Sequence, residues 1–406
     1  MIRLSIKLDR AVVVNYIPSI IDRVLAIAAL AFITYFINPT QYGVFTAVQG
    51  VAFTLFLAFP IEGFNRAIAF HAKGDAVHAA TAVAVILSLA YVAVATPLAV
   101  LLVRSPLALT YATAVVAAYI LLNLFNAGYV HMWVNNRTIE MGRGLMAYTL
   151  TFRAGELLLI ALTRSPLAIA AAAIAGYAVA LVYYYRVVGE PPNLRRGLRA
   201  VKGRLRRIAV EGWQFYILRY TWGFIHNGAV GYLAYMLLGA RDAAVFAVAL
   251  GVVVLVTALG DAVKNVSTAG ASITMAKDRE WAMRYTAYGA GLTALLTLLL
   301  PVATWIHVIN GIYVDYIWFI AGLTASAIPG ITNGVIMMTM WLNGKGWAPA
   351  YAGTLGAIVN VIVLATLAHP LGIWAIAAAN LTGNVTALAT LLASGLNLTS
   401  TPLGHP

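Results

Sequence analysis

Residues 189–207, GEPPNLRRGLRAVKGRLRR, form a basic stretch that divides the chain into two strongly apolar halves. Each half contains about six runs of the ~20 apolar residues that a helix needs to cross a bilayer. We therefore predict an all-α polytopic membrane protein with about 12 transmembrane helices, in two six-helix lobes around a central cavity. The N-terminal lobe would comprise residues 1–188, a basic amphipathic cytoplasmic hinge residues 189–207, and the C-terminal lobe residues 208–406.

The composition excludes an ordinary soluble domain. Hydrophobic residues make up 62% of the 406 residues and charged residues only 10%, whereas a soluble domain carries ~25% charged residues. Long runs of Ala, Leu and Val indicate helices, because the strands of a membrane barrel are ~10 residues long and alternate in polarity. The predicted spans are 11–37, 43–64, 76–103, 107–131, 145–163, 165–188, 208–238, 243–263, 285–309, 314–342, 347–367 and 371–396.

The charge distribution predicts the orientation in the membrane. The chain carries 26 Lys and Arg residues against 13 acidic residues, and most of the basic ones fall on one side of the predicted spans. Positively charged loops stay in the cytoplasm, so we expect both termini and the hinge there, in a multi-pass protein of the cytoplasmic (plasma) membrane. This topology accounts for the net charge of +13, and no soluble domain is expected that could bind nucleic acid.

The hinge itself has the pattern of an amphipathic helix. Its apolar residues fall at helical spacing on one stripe, and the basic residues occupy the other faces. We predict a helix that lies on anionic membrane lipids; the alternative is a simple tether whose charge only sets topology. The residues assigned to the membrane surface are Arg195, Arg196, Arg199, Lys202, Arg206 and Arg207.

Several ionisable side chains fall inside predicted spans, where they are costly and usually face a partner or a wet cavity. They occur in corresponding spans of the two halves, so we expect them to line one central cavity; the alternative is a set of salt bridges between helices. Residues predicted to bind a substrate in this cavity are Arg23, Arg219, Arg66, Lys264 and Asn15. Residues predicted to act as counter-ions or as a protonation switch are Asp22, Glu62 and Asp261.

Arg153 and Glu156 are a separate case, because they lie three residues apart in one predicted span. Residues at this spacing are neighbours on a helix surface. We therefore predict a local ion pair between them.

No enzyme site is visible in the sequence. The chain has no Cys, which excludes disulfide and thiol chemistry, and its 7 His residues lack the spacing of metal ligands. A phosphate-binding P-loop is absent as well. We therefore expect a transporter without a catalytic constellation, metal or cofactor, in which coupling to H⁺, Na⁺ or the membrane potential stays open.

Four short motifs carry a family resemblance. NPTQYG at 38–43 is similar to a Pro-x-x-Tyr-Gly turn, and PIEGFNRA at 60–67 to an Arg-Glu-Gly-Phe-Arg-Arg stretch. EG at 211–212 and PGITNG at 329–334 resemble further motifs of the same proteins. These proteins are the polysaccharide and oligosaccharide-lipid exporters of the multidrug/oligosaccharidyl-lipid/polysaccharide (MOP) superfamily. Asn65 stands where they have a basic residue, and Asn333 where they have an acid.

The resemblance implies a two-lobed, twelve-helix flippase for a polyprenyl- or dolichyl-(pyro)phosphate-linked oligosaccharide. Related lipid-linked precursor flippases use basic residues of the first helix to meet the pyrophosphate, and Arg23 fits that role. Glycosyltransferases would then be partners. Two alternatives stay open: a cation-coupled multidrug exporter of the same superfamily, and a non-transporting scaffold of a glycan assembly complex.

Overall fold

The computed structural model describes residues 10–59, 72–135, 137–210, 229–269, 310–342 and 347–394, together with single residues and short pieces between these ranges. All regular structure in these residues is helical. Two 3₁₀ helices, Lys73–Asp75 and Gly311–Tyr316, accompany 13 α-helices. The α-helices are α1 (Arg10–Phe36), α2 (Pro39–Ala58), α3 (Ala76–Val103), α4 (Ala108–Val134), α5 (Thr138–Thr163), α6 (Leu167–Val188), α7 (Leu194–Lys202), α8 (Ala229–Leu238), α9 (Ala240–Ala269), α10 (Ile317–Ser326), α11 (Ile328–Leu342), α12 (Trp347–Leu371) and α13 (Trp374–Ala393).

The helices confirm the predicted all-α polytopic membrane fold. Eight segments of the described chain are long and apolar enough to cross a membrane: Pro39–Ala58, Ala76–Val103, Ala108–Tyr129, Ile139–Thr163, Leu167–Val188, Gly311–Gly334, Ala348–Leu371 and Trp374–Ala393. The predicted span 76–103 coincides with α3. Most of the predicted span 285–309 and residues 214–228 lie outside the described residues.

The segment predicted as a turn at 38–43 is instead the start of α2. The Asn38 side chain accepts hydrogen bonds from the N–H groups of Thr40 (2.9 Å) and Gln41 (3.4 Å), and Pro39 occupies the first helical position. An Asn cap followed by Pro is a strong helix start, because the cap satisfies free N–H groups and Pro has none to satisfy. The span therefore begins four residues before the predicted position 43.

Gly43 marks the place where the two halves of the chain meet. A Cβ at this position would collide with the backbone carbonyl of Ala240, at the start of α9. Helix α2 packs along both α8 and α9, and one buried cluster joins Phe45 and Val48 of α2 to Phe246 of α9. The core therefore runs across the boundary between the halves.

The span predicted as 314–342 is divided into a 3₁₀ helix, α10 and α11. The break falls at Ala327, whose N–H bonds back to Thr324 O at 3.2 Å. Pro329 is the second residue of α11. Pro is favoured in the first turn of a helix and breaks a helix that precedes it, so the chain restarts there.

Two helical hairpins of the first half close with the same turn. The residues RSPLA connect α3 to α4 at 104–108 and α5 to α6 at 164–168. In both turns the arginine is left-handed, with φ of 50° and 51°. The serine hydroxyl in each accepts a 3.3 Å hydrogen bond from the N–H two residues on. A repeated sequence thus builds a repeated turn.

Candidate functional site

Three charged side chains form a triad between α1 and α5. Arg153 Nε donates to Asp22 Oδ1 at 2.7 Å, and Arg153 Nη1 donates to Glu156 Oε2 at 2.7 Å. The side chains are largely buried, with 15% of Arg153, 23% of Asp22 and 3% of Glu156 exposed. Helix α1 packs mainly against α5 in the described chain, which brings these residues together.

The triad carries one net negative charge when all three groups are ionised. One guanidinium cannot neutralise two carboxylates, and the excess charge lies in a membrane-embedded helix pair where it is costly. A proton or a monovalent cation would balance it. The triad is therefore a site at which the state of charge of the first half could change.

A row of aromatic side chains lies beside Arg153 of the triad. The Arg153 guanidinium lies 4.6 Å from the centroid of the Phe152 ring. Tyr148 stacks on Phe152 and on Tyr177, and the Tyr148 hydroxyl donates to the Tyr177 hydroxyl at 3.3 Å. The Arg153 guanidinium therefore lies at one end of a stacked row of three aromatic rings.

Arg23 differs from its neighbour Asp22. Adjacent residues on a helix point about 100° apart, so Arg23 does not share the contact of Asp22 with Arg153. It is half-buried, and within the described chain it makes no ion pair or hydrogen bond. Arg23 is thus a partly buried guanidinium in a predicted span without a charged partner in the described part of the chain.

The other predicted headgroup and counter-ion residues are not brought together by the described structure. Side chains or whole residues outside the described part are Asn15, Glu62, Arg66 and Arg219. Asp261 and Lys264 lie on α9, but their side chains are outside it too. The roles of these six residues stay predictions. Among the described residues no group of three or more His, Asp or Glu could hold a metal ion.

The second half contains a cluster of buried amides that the sequence analysis did not identify. Asn333 Nδ2 donates to Asn384 O at 2.8 Å, and Asn384 Nδ2 donates to Asn380 Oδ1 at 3.1 Å. Asn380 Nδ2 donates to Ser326 Oγ at 2.8 Å. These contacts join α10, α11 and α13 through neutral groups.

Three oxygens of this amide cluster region accept no hydrogen bond within the described chain: Oδ1 of Asn333, of Asn360 and of Asn384. Each of these residues is at most 2% exposed. A buried acceptor without a donor is uncommon and costly. Helical spacing is the one sequence signal that could have revealed part of the cluster, because Asn380 and Asn384 are four residues apart and lie on one face.

The hinge helix α7 is fixed to the first half by a set of contacts that we call the clamp. Arg196 Nε donates to Asp75 Oδ1 at 2.6 Å, and its Nη1 lies 3.6 Å from Glu190 Oε2. A Cβ at Gly197 would collide with the backbone carbonyl of His78. Arg196 was predicted to contact the membrane surface, and that role stays a prediction; the structure adds its contacts within the clamp, because α7 packs closely on α3.

His78 is the centre of the clamp. It is 1% exposed, its Nδ1 accepts from the Asn193 N–H at 3.1 Å, and its Nε2 lies 3.0 Å from Glu190 Oε1. Because Nδ1 accepts a hydrogen bond, the ring carries its proton on Nε2 and donates to the carboxylate. Asn193 in turn caps α7 by accepting from the Arg196 N–H at 2.9 Å. The start of the hinge is therefore held by specific contacts.

Comparisons with known proteins give a match in structure but not in sequence. No protein-family model matches the chain, and no curated protein matches it. An inward-facing MATE-family multidrug resistance transporter of the MOP superfamily has a TM-score of 0.71 at 15% identity, covering 96% of this chain and 98% of that chain. An outward-facing MATE transporter gives 0.53 at 13% identity, covering 96% of each chain.

A lipid II flippase, MurJ, in an inward closed conformation also matches. Its TM-score is 0.66 at 12% identity, and the match covers 94% of this chain and 87% of that chain. The resemblance seen in the short sequence motifs is therefore confirmed at the level of architecture. The chain has the fold of the transporters of the MOP superfamily.

Proposed function

We propose that this protein is a flippase or exporter that moves a polyprenyl- or dolichyl-(pyro)phosphate-linked oligosaccharide across the cytoplasmic membrane by alternating access. The observation that carries the proposal is Arg23, a half-buried guanidinium that makes no ion pair or hydrogen bond in the described chain. A guanidinium at membrane depth needs an anionic or aqueous partner. A phosphate headgroup supplies the anion.

The chemistry of the cargo sets the requirement. A sugar-pyrophosphate headgroup must cross ~30 Å of hydrocarbon, and neither its hydroxyls nor its charges enter lipid unpaired. Arginines in a wet cleft would offer the phosphates charge-assisted, bidentate hydrogen bonds. The polyprenyl or dolichyl tail would stay in the lipid throughout.

In this proposal Arg23 acts with Arg219, its counterpart in the second half. Lys264, Arg66 and Asn15 would widen the polar lining, and Glu62 and Asp261 would act as counter-ions. Asp22 is already held by Arg153 at 2.7 Å, so its part is to position the helix and to balance charge.

The membrane potential is a sufficient driving force in principle. An inside-negative potential contributes ~2.3 kcal/mol per charge per 100 mV. Moving about two negative charges outward would gain ~4–5 kcal/mol per 100 mV on that rule. We therefore propose that no coupling ion is required, and that collapse of the potential slows flipping in proteoliposomes.

A cation-coupled multidrug exporter is the second candidate, and the net negative charge of the triad favours it. Two carboxylates against one guanidinium would attract a proton or Na⁺. The fold of a MATE multidrug transporter agrees with this function as well. The two candidates differ in the residues that bind an ion. Arg23 binds an anion in the first candidate, and Asp22 with Glu156 binds a cation in the second.

The test uses the full chain in proteoliposomes that contain a fluorescent lipid-linked oligosaccharide. Access of the headgroup to an enzyme added outside reports flipping. We expect Arg23→Gln to lower the rate at least 10-fold, because one charge-assisted contact is worth ~1.5–3 kcal/mol. The matched control is Arg143→Gln, an exposed arginine of α5, which should flip at the wild-type rate.

Two results would count against the flippase. If Arg23→Gln flipped the lipid at the wild-type rate, Arg23 would not bind the headgroup. Absence of any flipping by the wild-type chain, together with uptake of a cationic dye driven by a H⁺ or Na⁺ gradient, would favour the multidrug exporter. A cluster of glycosyltransferase genes beside the gene would support the proposed partners.

A further inference from the structure

A groove lies directly after the hinge helix α7. Its volume is about 450 Å³, and it is lined by Gly203, Arg204, Arg206, Arg207 and Val210. The three arginines are exposed, and none of the lining residues is acidic. We call this the arginine groove. Its chemistry favours an anion with several oxygen acceptors, because guanidinium groups match phosphate geometry in bidentate fashion.

The arginine groove is held between two buried anchors. Val201, on its N-terminal side, is 4% exposed, and Ile208, on its C-terminal side, is 2% exposed. Both belong to one apolar cluster with Ile68 and Ala79. The clamp around His78 fixes the preceding helix to α3. The backbone that carries the arginines is therefore positioned before any ligand arrives, which lowers the entropy cost of binding.

Large apolar side chains flank the arginines and are exposed. Leu194 is 43% exposed, Leu198 45%, Leu205 57% and Val210 57%. The sequence predicts one apolar stripe on this segment; the structure divides it into a buried part on the first half and an exposed part. Exposed leucines beside arginines are typical of a helix at a membrane surface, where apolar groups meet acyl chains and basic groups meet headgroups.

We propose that the arginine groove binds the phosphate headgroup of an anionic lipid of the cytoplasmic leaflet, with the exposed leucines in contact with its acyl chains. The leucines decide between a lipid and a free phosphate, since a soluble anion would use the arginines alone. The groove lies between the clamped α7 and the chain that leads to the second half. A bound lipid would therefore hold the membrane against the segment that joins the two halves.

This site is separate from the proposed cargo site. Arg23 lies in a predicted span, whereas the arginine groove lies in the hinge region. The lipid named here is a resident membrane lipid, and its binding does not depend on whether the protein transports a lipid-linked sugar. A failure of either proposal would leave the other one standing.

The experiment compares two triple variants of the full chain in detergent. The groove variant is Arg204→Gln with Arg206→Gln and Arg207→Gln. The charge-matched variant is Arg104→Gln with Arg143→Gln and Arg186→Gln, three exposed arginines outside the hinge. Native mass spectrometry counts phosphatidylglycerol and phosphatidylcholine molecules bound by each protein, and size-exclusion chromatography checks folding.

We expect the groove variant to bind phosphatidylglycerol at least 10-fold more weakly, because each arginine near an anionic lipid contributes ~1 kcal/mol, or about fivefold in affinity. The charge-matched variant should keep most of its binding. Equal losses in both variants would mean diffuse surface charge and would overturn the proposal. Unchanged binding in the groove variant would overturn it too.

Further arms distinguish a lipid from a free anion. Leu205→Gln should weaken binding of phosphatidylglycerol severalfold without changing the charge. Displacement of the lipid by inorganic phosphate alone, with no effect of Leu205→Gln, would identify a soluble anion and overturn the lipid assignment. If the triple variant fails to fold, Arg204→Gln and Arg207→Gln are measured singly, each expected to weaken binding about fivefold.

Discussion

The two halves of the molecule bury polar groups in different ways. The first half uses charge: Arg153 joins Asp22 and Glu156 at 2.7 Å each, across α1 and α5. The second half uses neutral amides, with Asn384 hydrogen-bonded to Asn333 and Asn380 across α11 and α13. Removing one member of a buried ion pair costs more than removing a neutral hydrogen bond. Of these two arrangements, only the first contains groups that change their charge with protonation.

The largest expected effect comes from breaking the triad. Arg153→Met leaves two carboxylates close together without a cation, and we expect it to destabilise the protein by about 3–5 kcal/mol. Thermal unfolding of the purified protein in detergent measures the loss. Arg23→Met is the control, because Arg23 makes no ion pair in the described chain; it should cost much less. Equal losses for the two variants would mean that the triad does not hold α1 to α5.

A smaller effect is expected from the amide cluster. Asn384→Leu removes the hydrogen bonds from Asn384 Nδ2 to Asn380 Oδ1 and to Ser326 O. We expect this loss to lower the free energy of unfolding by about 1–3 kcal/mol. Asn360→Leu is the matched control, because its Oδ1 accepts no hydrogen bond in the described chain, and its cost should be near zero. Both losses should be the same at pH 5 and pH 8. A strong pH dependence would show that charge reaches this cluster.

The smallest effect concerns His131, at the end of α4 beyond the membrane-spanning segment. Burial, with the nearby Arg137 and His78, lowers the pKa of His131 below its usual 6.5. The folded state therefore favours the neutral ring, so stability is complete above the unfolded pKa and falls as the pH drops below about 6.5. His131→Gln should flatten this part of the stability curve slightly in unfolding measurements at pH 5 and pH 8. An unchanged curve would contradict the assignment.

Local properties of the chain were predicted well. The bounds of α3 agree with the prediction, because twenty or more consecutive apolar residues need a bilayer wherever they lie. Arg153 and Glu156 could be proposed as neighbours because three residues on one helix define their distance. The first turn of α2 was missed although its signal, Asn38 followed by Pro39, was present. That error came from reading the motif as a family turn instead of a helix cap.

Contacts between distant parts of the chain could not be predicted from one sequence. Asp22 pairs with a residue 131 positions away, and nothing in the local pattern distinguishes that partner from Arg23 beside it. The role of Gly43 became clear only from the Ala240 carbonyl that it approaches. Arg196 reaches the clamp because α7 packs against α3 with Gly197 at the contact.

The sequence by itself determined that the protein crosses a membrane many times, because transfer of apolar side chains out of water adds up residue by residue along each run. Tertiary structure alone decided which buried charges are paired and which apolar faces are covered. Those outcomes depend on distances between helices, and electrostatic and packing energies change steeply over a few ångströms.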